Sequence, residues 1–483
     1  MINVRPIARV IAVLILMIGG LMLTGLPVSY YFECGDAMPL LQSGLICLAV
    51  GLLLWLFPFR GDNTIKKREG YLIVAVGWLA MVSFSMLPYL FSGVIPDIPG
   101  AFFETVSGMT TTGASVLNDI ESVSEGILYW RSLTQWIGGM GIIVLTVAIF
   151  PLLGIGGIEL FVAEAPGPTS DKLHPRIQET AKRLWLIYVA LTGLLTLILW
   201  AVGMSFYEAI NHAFTTMATG GFSTRNASMA AFDLPAIQYP IILFMFLAGT
   251  NYTVIYFGLK GKFRKVWQSD EFRAYLALVG VLSVIVTLVV KSNTDLAWEK
   301  AFRDSIFQIV SIITTTGFVS ADYTAWHPSL TMLFFVLMFV GASAGSTSGG
   351  IKIIRNLVFF KNSFLEFKRI IHPRAIVPLK LNGQIVPGRI ITHIIIFLLL
   401  YLILFLIGSI VVSAMGLDFL TSIGAVATCL GNVGPGIGDV GPVDNFAWLS
   451  GGIKLVLSFL MLLGRLEIFT ILVLFTPYFW KSN

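Results

Sequence analysis

Three threonines and a glycine, Thr110, Thr111, Thr112 and Gly113, interrupt a strongly apolar chain. The same residue types return at Thr314, Thr315, Thr316 and Gly317. Aligned on the glycine, Met217-Ala218-Thr219-Gly220-Gly221 matches Met109-Thr110-Thr111-Thr112-Gly113 without a gap, and Gly431-Asn432-Val433-Gly434 is a fourth, weaker copy. The final glycines are 108, 96 and 117 residues apart. Six positions before each stands a hydroxyl residue, Ser107, Thr215, Ser311 or Thr428, which predicts one shared backbone geometry. Such tracts supply backbone carbonyls, and glycine permits backbone angles that other residues resist. Four of them around one axis would form a ring of oxygens, the arrangement that replaces the hydration shell of a potassium-sized cation. One Thr-Gly tract could simply close a helix; four, each after a short amphipathic stretch, need a common purpose.

The elements that must hold these tracts are membrane helices. Of 483 residues, 56% are hydrophobic and only 12% charged, against about 25% charged in soluble domains. Apolar runs at 10–26, 39–59, 72–91, 184–204, 237–256 and 390–412 are long enough to cross a ~30 Å hydrocarbon core as helix. The alternation of an outer-membrane barrel is absent. The stretches 100–110, 206–217, 301–313 and 419–430 hold eleven to thirteen residues. They are too short to span and are read as re-entrant helices. Non-helical backbone at membrane depth is tolerated only where it is buried in protein or lines water. The expected fold is an all-α polytopic membrane protein with ten spans. Residues 1–69 form two extra N-terminal helices. Four pseudo-symmetric span–re-entrant helix–span units follow at 70–160, 161–265, 266–380 and 381–483, around one pore. The first apolar run follows Arg5 and Arg9 without a small-residue cleavage site and reads as a retained helix.

Charge sets the orientation. The N-terminus, the C-terminus and the segments 60–69, 151–183, 259–273 and 352–389 hold 24 of the 31 Lys and Arg, while the opposite loops hold 6. The positive-inside rule then puts both termini in the cytoplasm. Of 26 acids, 16 fall on the outer side, where they would concentrate cations. Lys172, Arg176, Lys182 and Arg183 and the eight basic residues of 352–389 would also attract anionic lipid. The length of 352–389, with its segment around Pro373, Pro378 and Pro387, suggests a docking surface in addition. Cys34, Cys47 and Cys429 imply no disulfide framework, and the histidines show no metal-ligand spacing. With no P-loop and no GxGxxG, the chain is assigned no nucleotide site, and nothing points to a nucleic-acid partner.

A second set of residues could control passage. Gly341, Ser343, Gly345, Ser346, Thr347, Ser348, Gly349 and Gly350 fall within one ten-residue run inside a span. Such a run will not hold a helix on propensity, and broken helices line transport paths. Arg465 lies about midway along the last span. A charge at that depth is costly, so it should face the interior and have partners. Glu467, two residues on, lies on another side of the helix. Glu104, Glu208 and Asp304 enter the short stretches and read as caps on the positive helix ends. One enzyme motif matches: Gly341-Ala342-Ser343-Ala344-Gly345 fits G-x-S-x-G, with His393 as a conceivable base of an intramembrane serine hydrolase. It lacks the strand-turn-helix context of that motif and leaves the four tracts unexplained, so the chain is not read as an enzyme.

The quartet TTTG, ATGG, TTTG and GNVG on four span–pore–span units is similar to the Trk/Ktr/HKT potassium transporter superfamily. The two extra N-terminal helices and the length resemble the bacterial Trk membrane subunits. The resemblance covers essentially the whole chain. It implies K+ as the transported ion and filter carbonyls at Thr111, Thr112 and Gly113, at Thr219, Gly220 and Gly221, at Thr315, Thr316 and Gly317, and at Asn432, Val433 and Gly434. Glycine at all four ring positions implies potassium preference, since relatives with serine at the first favour sodium. The run at 341–350 would be a gate loop apposed to Arg465. The resemblance further implies the bacterial inner membrane, a homodimer, and a peripheral NAD/ATP-binding regulator of the TrkA type. A sodium-permeable or weakly selective channel, or an H+/Na+-coupled symporter, on the same scaffold is the competing reading. No transmembrane Asp/Glu/His relay stands out, which favours a passive path.

Overall fold

The computed structural model describes residues 2–59, 67–153 and 177–481. The expected boundary between the first two units at 160/161, together with Lys172 and Arg176, lies outside the described residues. The elements in chain order are α1 (Val4–Leu23), α2 (Leu26–Phe32), α3 (Ala37–Leu56), α4 (Lys67–Ser85), α5 (Leu87–Ser92), α6 (Ile98–Met109) and α7 (Glu125–Leu153). They continue with α8 (Ile177–Ala201), α9 (Phe206–Met217), α10 (Pro235–Ala248), α11 (Tyr252–Leu259), α12 (Phe263–Trp267), α13 (Asp270–Asn293), α14 (Trp298–Ile313) and α15 (Pro328–Leu337). The last are α16 (Ile353–Ile371), α17 (Gly388–Ala414), α18 (Phe419–Gly431), α19 (Gly451–Arg465), α20 (Phe469–Leu472) and α21 (Pro477–Trp480). The only sheet among the described residues is a hairpin of β1 (Lys380–Leu381) and β2 (Gln384–Ile385), paired Lys380 to Ile385 and Leu381 to Gln384. Its turn is Asn382-Gly383, both with positive φ, the pair that a two-residue turn matching strand twist requires.

Among the described residues, six stretches of helix are long and apolar enough to cross a membrane, and two bent pairs would bring that to eight, against the ten expected from the sequence. The bent pairs correct two expectations. The run 237–256 is not one helix: α10 and α11 meet at 110°. Asn251 ends the first direction and starts the second, its side chain accepting from Thr253 N at 2.8 Å. The last span is likewise bent by 107° after Arg465. Glu467 and Ile468 there have φ of 59° and 45°, so Arg465 ends a helix rather than sitting midway along one.

The four short helices are α6, α9, α14 and α18. Asp97, Ser205 and Asp418 cap three of them, accepting from Gly100 N, Glu208 N and Leu420 N respectively. The third begins earlier than expected, at Trp298, and has 16 residues. These helices form the interior. Residues 103–109 of α6 are all buried, while α13 and α17 expose Val281, Val284, Leu402 and Ile410 as a lipid-facing surface must. Helix contacts make three of the four joins between successive units. Each short helix contacts the long helix before it: α4, α8, α13 and α17. Also, α7 contacts α9, α10 contacts α14, and α19 contacts α6.

Candidate functional site

Each short helix delivers its C-terminus to one tract, and the four tracts share their backbone residue by residue. Thr111, Thr219, Thr315 and Asn432 have φ of 55°, 53°, 55° and 54°. The next residue donates its N–H back to the carbonyl of Ser107, Thr215, Ser311 or Thr428, at 2.8, 2.8, 2.8 and 2.9 Å. The hydroxyl residue six before the glycine thus marks the shared geometry through its main-chain oxygen. Gly113, Gly221, Gly317 and Gly434 then all take positive φ, from 76° to 105°.

The tracts touch in a closed cycle. A Cβ on Gly113 would collide with the Gly220 carbonyl, on Gly221 with that of Thr316, on Gly317 with that of Val433, and on Gly434 with that of Thr112. The four glycines line one cavity, whose outer wall includes Asn118, Arg225 and Asp444. Thr112, Thr219, Thr315, Thr316 and Asn432 are fully buried, and so is Thr111. The threonine hydroxyls mostly serve the tracts themselves: Thr110 pairs with Thr112, and Thr314 with Thr316, both at 2.7 Å. One carbonyl is shared, since Gln135 donates to Gly220 O at 2.6 Å and accepts from Phe222 N at 3.0 Å.

Nine positions before the ring glycine, three short helices carry a polar side chain that holds the chain just beyond the tract. Glu104 accepts from Ser115 Oγ at 3.0 Å and Val116 N at 2.8 Å, and is paired with Arg131 at 2.7 Å. His212 meets Ser223 Oγ at 2.9 Å through Nε2. Gln308 donates to Ser320 Oγ at 3.3 Å. The fourth helix has Ala425 there. Of the three acids read as caps, only Glu208 is one: it lies in the first turn of α9 with Ser205 and binds Arg225 at 3.0 Å. Glu104 and Asp304 lie mid-helix instead; Asp304 faces Lys300 at 3.5 Å. At the outer rim Asn226 donates to Asp119 at 3.0 Å and holds its carboxyl below the usual range.

Residues 341–350 form no helix, and their ends are joined by a bridge between Val340 and Ile351. The loop reaches three tracts at their inner ends. Thr219 donates to the Thr347 hydroxyl at 3.2 Å, Gly349 N donates to the Thr315 hydroxyl at 2.7 Å, and a Cβ on Gly349 would meet Asn432 at 2.7 Å. Gly345 and Gly350 have positive φ. Ser346 bonds Ser348 at 2.8 Å, and Gly341 N bonds Ile351 O at 2.9 Å. Arg465 binds backbone oxygens: Thr347 O in the loop at 2.7 Å, and on α7 Gly139 O at 3.1 Å and Gly138 O. Glu467 turns away to Arg355, 2.5 Å distant. Lys352 donates to the carbonyl and hydroxyl of Ser348. Ser343 is buried and its hydroxyl has no hydrogen-bond partner among the described residues, so no base activates it, while His393 is exposed on α17.

Sequence reasoning overlooked Gln135, the pair His212 and Gln308, and Glu271, which binds the loop from α13. The common offset of Glu104, His212 and Gln308 from the ring glycine was the available signal.

Comparison with known proteins agrees with the all-helical fold. A family model described as TrkH, cation transport protein, matches residues 37–482. The Trk system potassium uptake proteins TrkH of Salmonella typhimurium and of Escherichia coli K12 are each 41% identical to the chain, over 99% of both partners. TrkG of Escherichia coli K12 is 33% identical over 99% of each. The crystal structure of the potassium transporter TrkH from Vibrio parahaemolyticus matches with a TM-score of 0.89 at 37% identity, covering 99% of this chain and all of that one. The chain belongs to the TrkH family of cation transport proteins and is a transporter rather than an enzyme.

Proposed function

We propose that this protein takes up potassium across the bacterial inner membrane through the ring of tracts. The ligands are the carbonyls of Thr111, Thr112, Gly113, Thr219, Gly220, Gly221, Thr315, Thr316, Gly317, Asn432, Val433 and Gly434. The carrying observation is the closed cycle in which every ring glycine lies against the next tract's carbonyl. Around it stand four span–re-entrant–span units at 70–160, 161–265, 266–380 and 381–483. K+ as cargo is supported by relatives named Trk system potassium uptake proteins. Helix C-termini directed at the tracts favour a cation. Inward movement needs no coupling ion, because each charge gains ~2.3 kcal/mol per 100 mV of negative-inside potential.

The loop at 341–350 is the gate and Arg465 its fastener. A guanidinium bonded to loop and α7 carbonyls sets a fixed positive charge near the path, which repels cations until it is displaced. Both termini lie in the cytoplasm, where a nucleotide-binding regulator docks on a homodimer. The exposed Phe360, Phe364 and Phe367 of α16, interleaved with Lys361 and Lys368, suit such contacts or lipid. The weakly selective reading draws on one observation, Asn432 standing where the other tracts have threonine.

Flux from purified protein in liposomes tests both halves. K+ and Rb+ should pass under a set voltage, Na+ should not, and an imposed pH gradient should change nothing. Arg465→Ala should raise K+ flux. Sodium passing as freely as potassium would sink the selectivity, and proton dependence would sink the passive path.

A further inference from the structure

A buried carboxylate on α13 holds the loop at a second point, apart from Arg465. Glu271 is in the first turn of α13 and is 7% exposed. One of its oxygens accepts from Ala344 N at 2.7 Å and from Ile354 N at 3.2 Å. Ala344 lies inside the glycine-rich run and Ile354 four residues beyond it, so a single oxygen ties the first half of the loop to the start of the helix that follows. The second bond has a further meaning. Helix α16 begins after Lys352, whose side chain makes no capping bond. The first amides of a helix have no partner inside it, and an anion there is stabilised by the helix dipole. Glu271 therefore supplies from a different helix the cap that α16 lacks.

We propose that Glu271 is the latch of the intramembrane loop, a positioning residue that keeps 341–350 seated against the tracts and lets go when α13 and α16 separate. The inference rests on the gate reading of that loop. Its neighbour gives the latch a handle on the cytoplasmic side. Asp270 binds Lys361 of α16 at 2.8 Å, and exchanges two bonds with Asn382 in the hairpin turn, at 2.7 and 3.2 Å. Pulling on the hairpin or on α16 thus acts one peptide away from the carboxylate that fastens the loop.

The test is K+ and Na+ flux from the full-length protein in liposomes, comparing Glu271→Ala, Glu271→Gln and Arg465→Ala with the parent. Loss of a charge-assisted bond to a buried amide shifts an equilibrium by roughly tenfold. Glu271→Ala should raise K+ flux by about that factor, and Glu271→Gln, which keeps one acceptor, by less. The K+/Na+ ratio should stay at the parent value, which a merely loosened fold would not preserve. If Glu271→Ala fails to reconstitute, a rise in Glu271→Gln at unchanged ratio decides for the latch, and no rise decides against it. Raised flux in Arg465→Ala alone overturns the latch and leaves the gate. No rise in either residue's variants overturns the gate reading itself.

Discussion

The first three tracts and the fourth reach one backbone by opposite routes. Thr111, Thr219 and Thr315 are β-branched residues held at φ of 53° to 55°, a conformation that costs such side chains of order 1–3 kcal/mol each and persists only where the surroundings over-determine it. Asn432 takes φ of 54° at little cost, because asparagine is among the few residues that visit this region readily. The copy that looks weakest by sequence is thus the least strained in conformation. It is also tied to its neighbour by side chain: Asn432 donates to the Thr112 hydroxyl at 3.0 Å and to Met461 O at 2.9 Å. Beyond the glycine the contrast repeats. Three tracts are held by their own short helix, and the fourth by the preceding unit, through Tyr323 donating to Gly436 O at 2.7 Å.

The largest effects should come from filling the gaps between tracts. A Cβ comes closest to a neighbouring carbonyl at Gly221, then Gly317, then Gly113, while Gly434 has the most room at 2.6 Å from Thr112 O. Overpacking a rigid site costs about 1–3 kcal/mol, or roughly 5- to 150-fold in an equilibrium. Serine at Gly113, Gly221 or Gly317 should cut K+ over Na+ discrimination by an amount in that range, and Gly434→Ser by the least. Rb+ and Na+ flux measured across the four variants checks the order. Equal losses at all four would mean that clearance between tracts does not govern selection.

Exchanging the two backbone solutions should have a smaller, structural effect. Asn432→Thr brings the strain of the other tracts into the fourth and removes the amide that serves Thr112 and Met461. Leaving buried polar groups unpaired costs about 1–3 kcal/mol, so the thermal unfolding midpoint in detergent should fall. A midpoint equal to the parent's would show that the left-handed angle is no burden to threonine here.

This contrast also separates what the chain discloses from what it hides. The four tracts could be aligned because glycine and small hydroxyl residues recur for a backbone reason, and backbone requirements leave few residue choices. The unwound run at 341–350 was legible for the same reason. The braces at Glu104, His212 and Gln308 were not, because three different side chains perform one job and only their register is common. Arg465's partners are main-chain oxygens of Gly138, Gly139 and Thr347, which no side-chain pattern encodes. Glu271 stood in a basic segment, where its charge read as topology, though its partners are amides 73 and 83 residues away. The breaks after Ala248 and Arg465 fall in apolar runs whose composition reads as continuous helix.

The mildest test asks whether the braces are interchangeable between units. His212 is fully buried, with Nδ1 at 2.8 Å from Glu208 O and Nε2 at 2.9 Å from Ser223 Oγ. A carbonyl can only accept, so Nδ1 carries a proton, and in the neutral imidazole Nε2 then accepts from the serine. Ser223 Oγ in turn accepts from Arg225 N at 3.0 Å, so the ring holds the chain beyond Gly221 together with Gln135 at Phe222 N and Arg131 at Ser223 O. Removing one such neutral bond is worth about 1 kcal/mol, or roughly fivefold. His212→Ala should lower K+ over Na+ discrimination by about that factor. His212→Gln should lower it less, since Gln308 braces the third tract with an amide at the equivalent position. The fourth tract, with Ala425 there, is reached by Tyr323 of the third unit at Gly436 O, and the second is reached by Arg131 of the first unit at Ser223 O, 3.0 Å away. An alanine variant as selective as the parent would therefore mean that Arg131 and Gln135 of the first unit hold the second tract without the imidazole.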